Sequence, residues 1–370
     1  TDARRPHRTR GEVEEPNPIP SNYQHSNYQH SNYQHRTESV STMSKLLKKS
    51  NKTQDYIFDG HAGAGPSSAS RWLDCTASLE ASRQFLETRS EAELELIAVS
   101  SLAAQQGTTA HTAAEVELRG VLGELTPEEV KAALDGLKEQ RQETAYSHQM
   151  ADDLHEYIDL VSDYINSGRE VLLESKVKAR IRKPSGGVHL VKGSADCIVL
   201  PSEKVRELVV ADLKYGAGVD VPAEENEQMR FYALGAAARA PKGSIDTVQY
   251  IIAQPRAGGI KTWSEPLSSL VAWRESIAPR VEAALDGVGG GAEFKPSESN
   301  CMFCPARQVC VPFIEDSVAQ SKELFDELDE AEAAQKEKPF AIEKLNDRRL
   351  AYLLVQALAA TKLAEELKKE

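Results

Sequence analysis

The sequence predicts an α/β (α+β) fold in which a central mixed sheet is flanked by helices. Apolar residues recur with helical spacing from about Pro66 to Ser167, then alternate with period two from Val171 onward. The centre then runs helix, strand, strand, strand, helix, strand, an order that suits helices packed against one sheet.

Residues 1–42 are rich in Pro, Ser, Asn and charge, and carry SNYQH three times from Ser21 to His35. A five-residue period is too short for a folded repeat, so a disordered, low-complexity tail is expected, its histidines solvated rather than metal-bound. Met43, followed by SKLLKKS, reads as a natural start. Pro66-Ser67-Ser68-Ala69-Ser70 before Arg71-Trp72-Leu73 reads as a helix start whose serines accept from free first-turn amides. Residues 107–115 open or continue a second helix. Thr126-Pro127-Glu128-Glu129 starts a third, with Thr as cap, Pro at the first helical position and acids in the first turn. Residues 154–164 complete the block. Two strands, 171–182 and 188–200, flank a turn at Pro184-Ser185-Gly186-Gly187, and residues 207–214 make a third. A helix over about 224–240, a strand over 245–254 and a helix near 267–285 follow. From Asp316 the chain is acidic and helical in pattern.

At 370 residues there is length for one large domain or two smaller ones, with a real core. No apolar run is long enough to span a bilayer and no secretory leader opens the chain, so a soluble, cytoplasmic protein without a membrane partner is expected. Five cysteines, an odd number with three in ten positions, read as reduced thiols that hold a metal. The net charge of −13, from 57 acids and 44 bases, argues against coating duplex DNA through a broad basic face. It leaves room for an enzyme with a carboxylate metal site and a local basic strip.

Residues of equal parity share a strand face, so Asp212 and Lys214 point the same way at the end of Leu208-Val209-Val210. A carboxylate beside an ammonium can bind a hard divalent cation and steady charge developing on phosphorus. Asp196, placed by Gly193-Ser194-Ala195, would add a second carboxylate from the adjacent strand. Taken alone, Asp-x-Lys is more often a surface ion pair. Gln228 and Tyr232, four apart on the next helix, can reach phosphates or order the lysine, or form the polar stripe of a half-buried helix. His111 shares a helical face with Glu115 and offers an imidazole to the same cation, although a lone helix histidine is more often structural. Glu174, Lys176, Lys178, Arg180 and Arg182 share one strand face. Four cations in line can follow a nucleic-acid backbone or guard a solvated edge against aggregation, and both readings stand.

Cys301-x2-Cys304 brings two thiolates to one centre, and Cys310 with Cys75 would complete four. Zinc takes four thiolates, usually as two close pairs. One distant cysteine with a late group of three suits a [4Fe-4S] cubane at least as well, leaving Zn2+ as the alternative. Phe303 and Pro305 would limit solvent access. Cys197, opposite in parity to Asp196, is expected to face the core.

Gly193-x2-Asp196, Asp212-Leu213-Lys214, Gln228-x3-Tyr232 and His111, flanked by Cys75 and Cys301/Cys304/Cys310, together resemble the PD-(D/E)XK nucleases of the RecB type. The likeness is to their iron–sulfur branch, with its AddB-type nuclease domains and a CRISPR-associated exonuclease. Ser70-Arg71-Trp72-Leu73-Asp74-Cys75 with Gly107-Thr108-x2-His111-x3-Glu115 further resembles the phage-associated domain of unknown function 2800. The resemblance covers roughly residues 66 to 314. It implies a restriction-endonuclease-like core at 169–256, after an N-terminal helical region at 43–168 and before a cysteine-bearing segment at 257–314 and an acidic extension at 315–370. It implies Mg2+ or Mn2+ held by His111, Asp196, Asp212 and the carbonyl of Leu213, with Lys214 catalytic and Gln228 and Tyr232 in support. It also implies a structural cluster on the four cysteines; the strand row Lys176, Lys178, Arg180 and Arg182 stands beside it as the candidate DNA-binding strip. The proline familiar before the first catalytic Asp is replaced by Ala195. The expected function is therefore a metal-dependent exonuclease on single-stranded DNA ends, in phage recombination or replication, beside a recombinase, helicase or single-strand-binding protein. Its setting would be the cytoplasm of a phage-infected or prophage-carrying bacterial host. The alternatives are a non-catalytic DNA-binding or assembly factor that keeps the fold, and a zinc-stabilised scaffold.

Overall fold

The computed structural model describes residues 57–58, 61–90, 93–94, 97 and 101–320. The tail expected at 1–42 and all of the acidic extension beyond residue 320 lie outside them. Helical spacing resolves into α1 (Ala69–Asp74), α2 (Ser78–Glu87), α3 (Leu102–Val121), α4 (Pro127–Lys138) and α5 (His148–Asn166). Free amides at three of these starts are satisfied as the residue types dictate. Ser101 accepts from Ala104 N, Ser147 accepts from Met150 N, and Thr126 with Glu129 forms a full capping box ahead of Pro127. The start of α1 differs from expectation. A 3-10 turn at Pro66–Ser68 runs straight into the helix, so Ser68 has no open end to cap, and its hydroxyl instead donates to the carbonyls of Gly63 and Gly65. Residues 107–115 continue a helix that starts earlier, at Leu102, the second of the two readings the sequence offered.

The sheet contains β1 (Val171–Arg182), β2 (Val188–Val199), β3 (Glu207–Leu213), β4 (Thr247–Gln254) and β5 (Gly259–Pro266), in that spatial order. α6 (Glu227–Ala237) joins β3 to β4, the one parallel pair; the other neighbours are antiparallel. β5 is a strand the sequence reading did not contain. It carries the sheet past residue 256, and its mostly half-exposed residues gave little apolar alternation to detect. α7 (Leu267–Asp286) and α8 (Glu298–Met302) follow. β3 is apolar at successive positions because both its faces are covered. Val209, Ala211 and Leu213 meet α3 and α5, whereas Leu208 and Val210 meet α6.

β1 and β2 pair from Val171↔Val199 to Arg182↔Val188, yet β2 meets β3 only over residues 197–199. Beyond that point the hairpin is a two-stranded arm. Gly186 and Gly187 close its tip with φ of 105° and 88°, a left-handed backbone that glycine adopts without strain. Val177, Ala179, Ile181 and Val191 turn one face of the arm onto the α1, α6 and α7 side. Val171 and Leu173, nearer the sheet, face α3 and α5 instead. Cys197 and Ala195 split in the same way on β2. Both strands therefore skip one beat of alternation at the facing residues Glu174 and Asp196, and Glu174 takes the positive φ (44°) that marks the break.

α6 is held close by two devices. A Cβ on Gly235 would lie 2.6 Å from Val177 Cβ and 2.9 Å from Lys178 N, so only glycine permits this approach. Arg230, buried, is gripped by Glu265 through Nε–Oε1 (3.1 Å) and Nη2–Oε2 (3.2 Å), while the Tyr250 hydroxyl also donates to Glu265 and Trp263 and Trp273 stack on the guanidinium. Gly235→Ala is expected to cost about 1–3 kcal/mol by overpacking, seen as a lower urea midpoint; an unchanged midpoint would contradict the close seating of α6 on β1.

Candidate active site

The end of β3 and the break in β1 and β2 converge on one place. Asp196 Oδ2 accepts from Leu213 N (2.8 Å) and lies 3.2 Å from His111 Nδ1 of α3. One residue further, Asp212 is buried, with Oδ2 2.6 Å from Lys214 Nζ and Oδ1 accepting from Gln228 Nε2 (2.9 Å). Lys214 Nζ also donates to Gln228 Oε1 (3.0 Å), and Gln228 Nε2 donates to the Tyr232 hydroxyl (3.1 Å). Asp212, Lys214 and Gln228 thus close a ring of two hydrogen bonds and one ion pair, and the i, i+4 pair on α6 orders the lysine. Every residue expected at the acidic site is brought together, and Leu213 supplies its amide to Asp196.

Glu174 is the residue the sequence reading misplaced. Regular alternation put it on the face of Lys176, Lys178, Arg180 and Arg182. The break at φ 44° instead brings its carboxylate to His111 and Asp196, and one donor atom from each of these three residues lies within 4.8 Å of the others. Asp212, expected in that set, is held by Lys214 and Gln228. Glu115, with its neighbour Arg119 paired to it at 3.0 Å, lines the same small recess as His111, Glu174, Asp196 and Leu213. An imidazole with two carboxylates is a donor set that a hard divalent cation accepts.

Charge is balanced tightly here. Burial opposes a charged His111, but Asp196 and then Asp212 outweigh it and hold the imidazole up to about 9. Burial likewise opposes the charge on Asp196, yet His111, Lys214 and the Leu213 amide keep its carboxyl below the ordinary value. At Asp212 burial prevails over Lys214, with repulsion from Asp196 adding to it, and the carboxyl is pushed up.

The four expected cysteines also converge. Cys75 ends α1, Cys301 lies in α8, Cys304 precedes a 3-10 turn at Pro305–Gln308, and Cys310 precedes helical residues 311–320. All are free thiols. Burial pushes the Cys301 thiol up to about 11, and the neighbouring Cys304, Cys310 and Cys75 add to the rise. Lys295 N donates to Cys75 Sγ (3.3 Å), and Ser82 Oγ lies 3.8 Å from Cys304 Sγ. Among the described residues no three of these sulfurs lie within 4.8 Å of one another. Phe303 does not shield the group: it is 73% exposed. Cys197 is buried in the core, as its parity predicts.

Lys176, Lys178, Arg180 and Arg182 are all exposed on one face of β1, which is also an edge strand, so the geometry alone leaves both readings of that row open. No helix among the described residues is long and apolar enough to cross a membrane.

A family model described as "Protein of unknown function (DUF2800)" matches residues 61–370. Among solved structures, the crystal structure of SSO0001 is similar over 66% of this chain and 96% of its own, at 13% identity and a TM-score of 0.29, a likeness too slight to carry an argument.

In metal-free protein the His111 imidazole is expected to titrate near 9 by NMR, against an ordinary value of 6.5. Asp196→Asn removes the main opponent of burial, so the midpoint should fall below the ordinary value. Because the folded value is raised, the pair stabilises the fold fully below pH 6.5 and loses that contribution as pH climbs through about 9. A midpoint unmoved by Asp196→Asn would refute the coupling.

Proposed function

The chain belongs to the DUF2800 family, and on the geometry of its site we propose that it is a metal-dependent DNA nuclease with a PD-(D/E)XK core of the RecB type, acting on single-stranded ends. The observation that carries this reading is the delivery of Asp196 and Asp212 from adjacent strands to one corner, joined by the Asp196–Leu213 bond, with Lys214 beside them. A surface ion pair would be solvated, whereas Asp212 is 1% exposed. His111, Glu174 and Asp196 would hold Mg2+ or Mn2+, with Asp212 and the Leu213 carbonyl as further oxygen donors. Such a cation supplies Lewis acidity toward a phosphodiester.

The chain's own groups do the rest. Asp212 and Gln228 fix the Lys214 ammonium, which offsets negative charge building on the phosphoryl oxygens. Tyr232 accepts from Gln228 and fixes its amide orientation. A [4Fe-4S] cluster on Cys75, Cys301, Cys304 and Cys310 is supported by the gathering of four free thiols from both ends of the described chain. It would tie the first helices to the segment after α7. The resemblance alone supports a role in phage recombination or replication, beside a recombinase, helicase or single-strand-binding protein in the cytoplasm of the bacterial host.

Lys214→Ala is expected to lower Mn2+-dependent cleavage of end-labelled single strands by at least about 100-fold while leaving the circular dichroism spectrum unchanged. Undiminished turnover would reject the site, and strand binding without any product in the wild type would favour the non-catalytic alternative. Anaerobically purified protein should be brown, and Cys304→Ser should bleach it and lower its melting temperature. A colourless, zinc-loaded wild type would replace the cluster assignment.

A further inference from the structure

The open face of the β1–β2 arm holds one more cation than the row on β1. Lys192 on β2 pairs across the ladder with Lys178, both exposed, and the face continues through Ser194 beside Lys176 and Leu190 beside Arg180. Among the described residues none of Lys176, Lys178, Arg180, Arg182 and Lys192 pairs with a carboxylate, in a chain where acids outnumber bases 57 to 44. Other surface cations, such as Arg206 and Lys131, have found acid partners. The opposite face of the arm is seated on α6 and α7, so only this one is presented to solvent. The face ends where alternation breaks, at Glu174 and Asp196, beside His111.

From these placements we infer that the arm is a track for the phosphate backbone of single-stranded DNA, leading to the Glu174–Asp196 corner. This rests on the phosphodiester reading above and adds the path of the substrate to the site. Alternate residues of a strand stand about 6.6 Å apart, close to the spacing of phosphates in an extended single strand. The row from Lys176 to Arg182 spans roughly 20 Å, a narrow line that one flexible strand can follow. Leu190 and the half-exposed Val188, across from Arg180 and Arg182, add apolar surface against which bases can rest.

The test is fluorescence anisotropy in EDTA, with anaerobically purified full-length protein and an oligomer of about twenty thymidines. Lys178→Glu with Lys192→Glu is expected to weaken binding at least tenfold. Lys204→Glu with Lys242→Glu, exposed lysines off the arm, should leave it within twofold. Equal loss in both pairs, no loss in the first, or tighter binding of duplex DNA or of single-stranded RNA than of the thymidine strand would overturn the track. Because binding is read without metal, the two readings fail separately. Protein that binds but cuts nothing defeats the nuclease and keeps the track. Protein that cuts, yet binds the arm variant undiminished, defeats the track alone.

Discussion

Where the ladder between β2 and β3 stops, a side chain takes over. The strands exchange backbone contacts through Cys197↔Ala211, and the next link is Asp196 Oδ2 accepting from the amide of Leu213. That bond satisfies a buried donor the splayed strands would otherwise strand. It also fixes the carboxylate at the fork between sheet and arm. From this point β2 leaves the sheet, β1 goes with it, and the faces of both strands exchange roles. His111, Glu174 and the Asp212–Lys214–Gln228 ring are all positioned around that fork.

Much of this was legible in the sequence because the signals are local. The capping box at Thr126, the Gly186-Gly187 turn and the doubly buried run of β3 follow from residue type and spacing. Asp196, Asp212, Lys214 and Gln228 were readable because parity and the i, i+4 relation act over a few residues. Glu174 was not, because parity assumes unbroken alternation. Counting back from the turn at 184–187 does set Glu174 opposite Asp196, since Arg182 faces Val188 and the pairs on either side, Ser175↔Ala195 and Leu173↔Cys197, keep one register. That signal was present, but the row of cations after it drew the carboxylate onto the wrong face. β5 escaped for a different reason: an edge strand with few buried residues carries little apolar pattern. Ser68 shows the limit of capping rules, which presume a free helix start that the preceding 3-10 turn removed.

The charge distribution reconciles a strongly acidic chain with a polyanionic partner. Acids dominate overall, while among the described residues five cations without carboxylate partners, Lys176, Lys178, Arg180, Arg182 and Lys192, share one face of the arm. Long-range repulsion is screened beyond about 10 Å at ordinary salt, so the local row governs what a strand meets on arrival. The buried pairing of Arg230 with Glu265 holds α6, and with it Gln228, at a fixed distance from β3.

The cysteines are not the sole link between the beginning and the end of the described chain. Asp74 receives bonds from Lys295 Nζ and Asn300 Nδ2, and Thr76 exchanges bonds with the backbone of Glu293, partners more than 200 residues apart in sequence. Contacts of such separation are slow to form. During synthesis the bonds that fix Asp74 and Thr76 therefore cannot form until residues 293–300 emerge from the ribosome, long after α1 has been made.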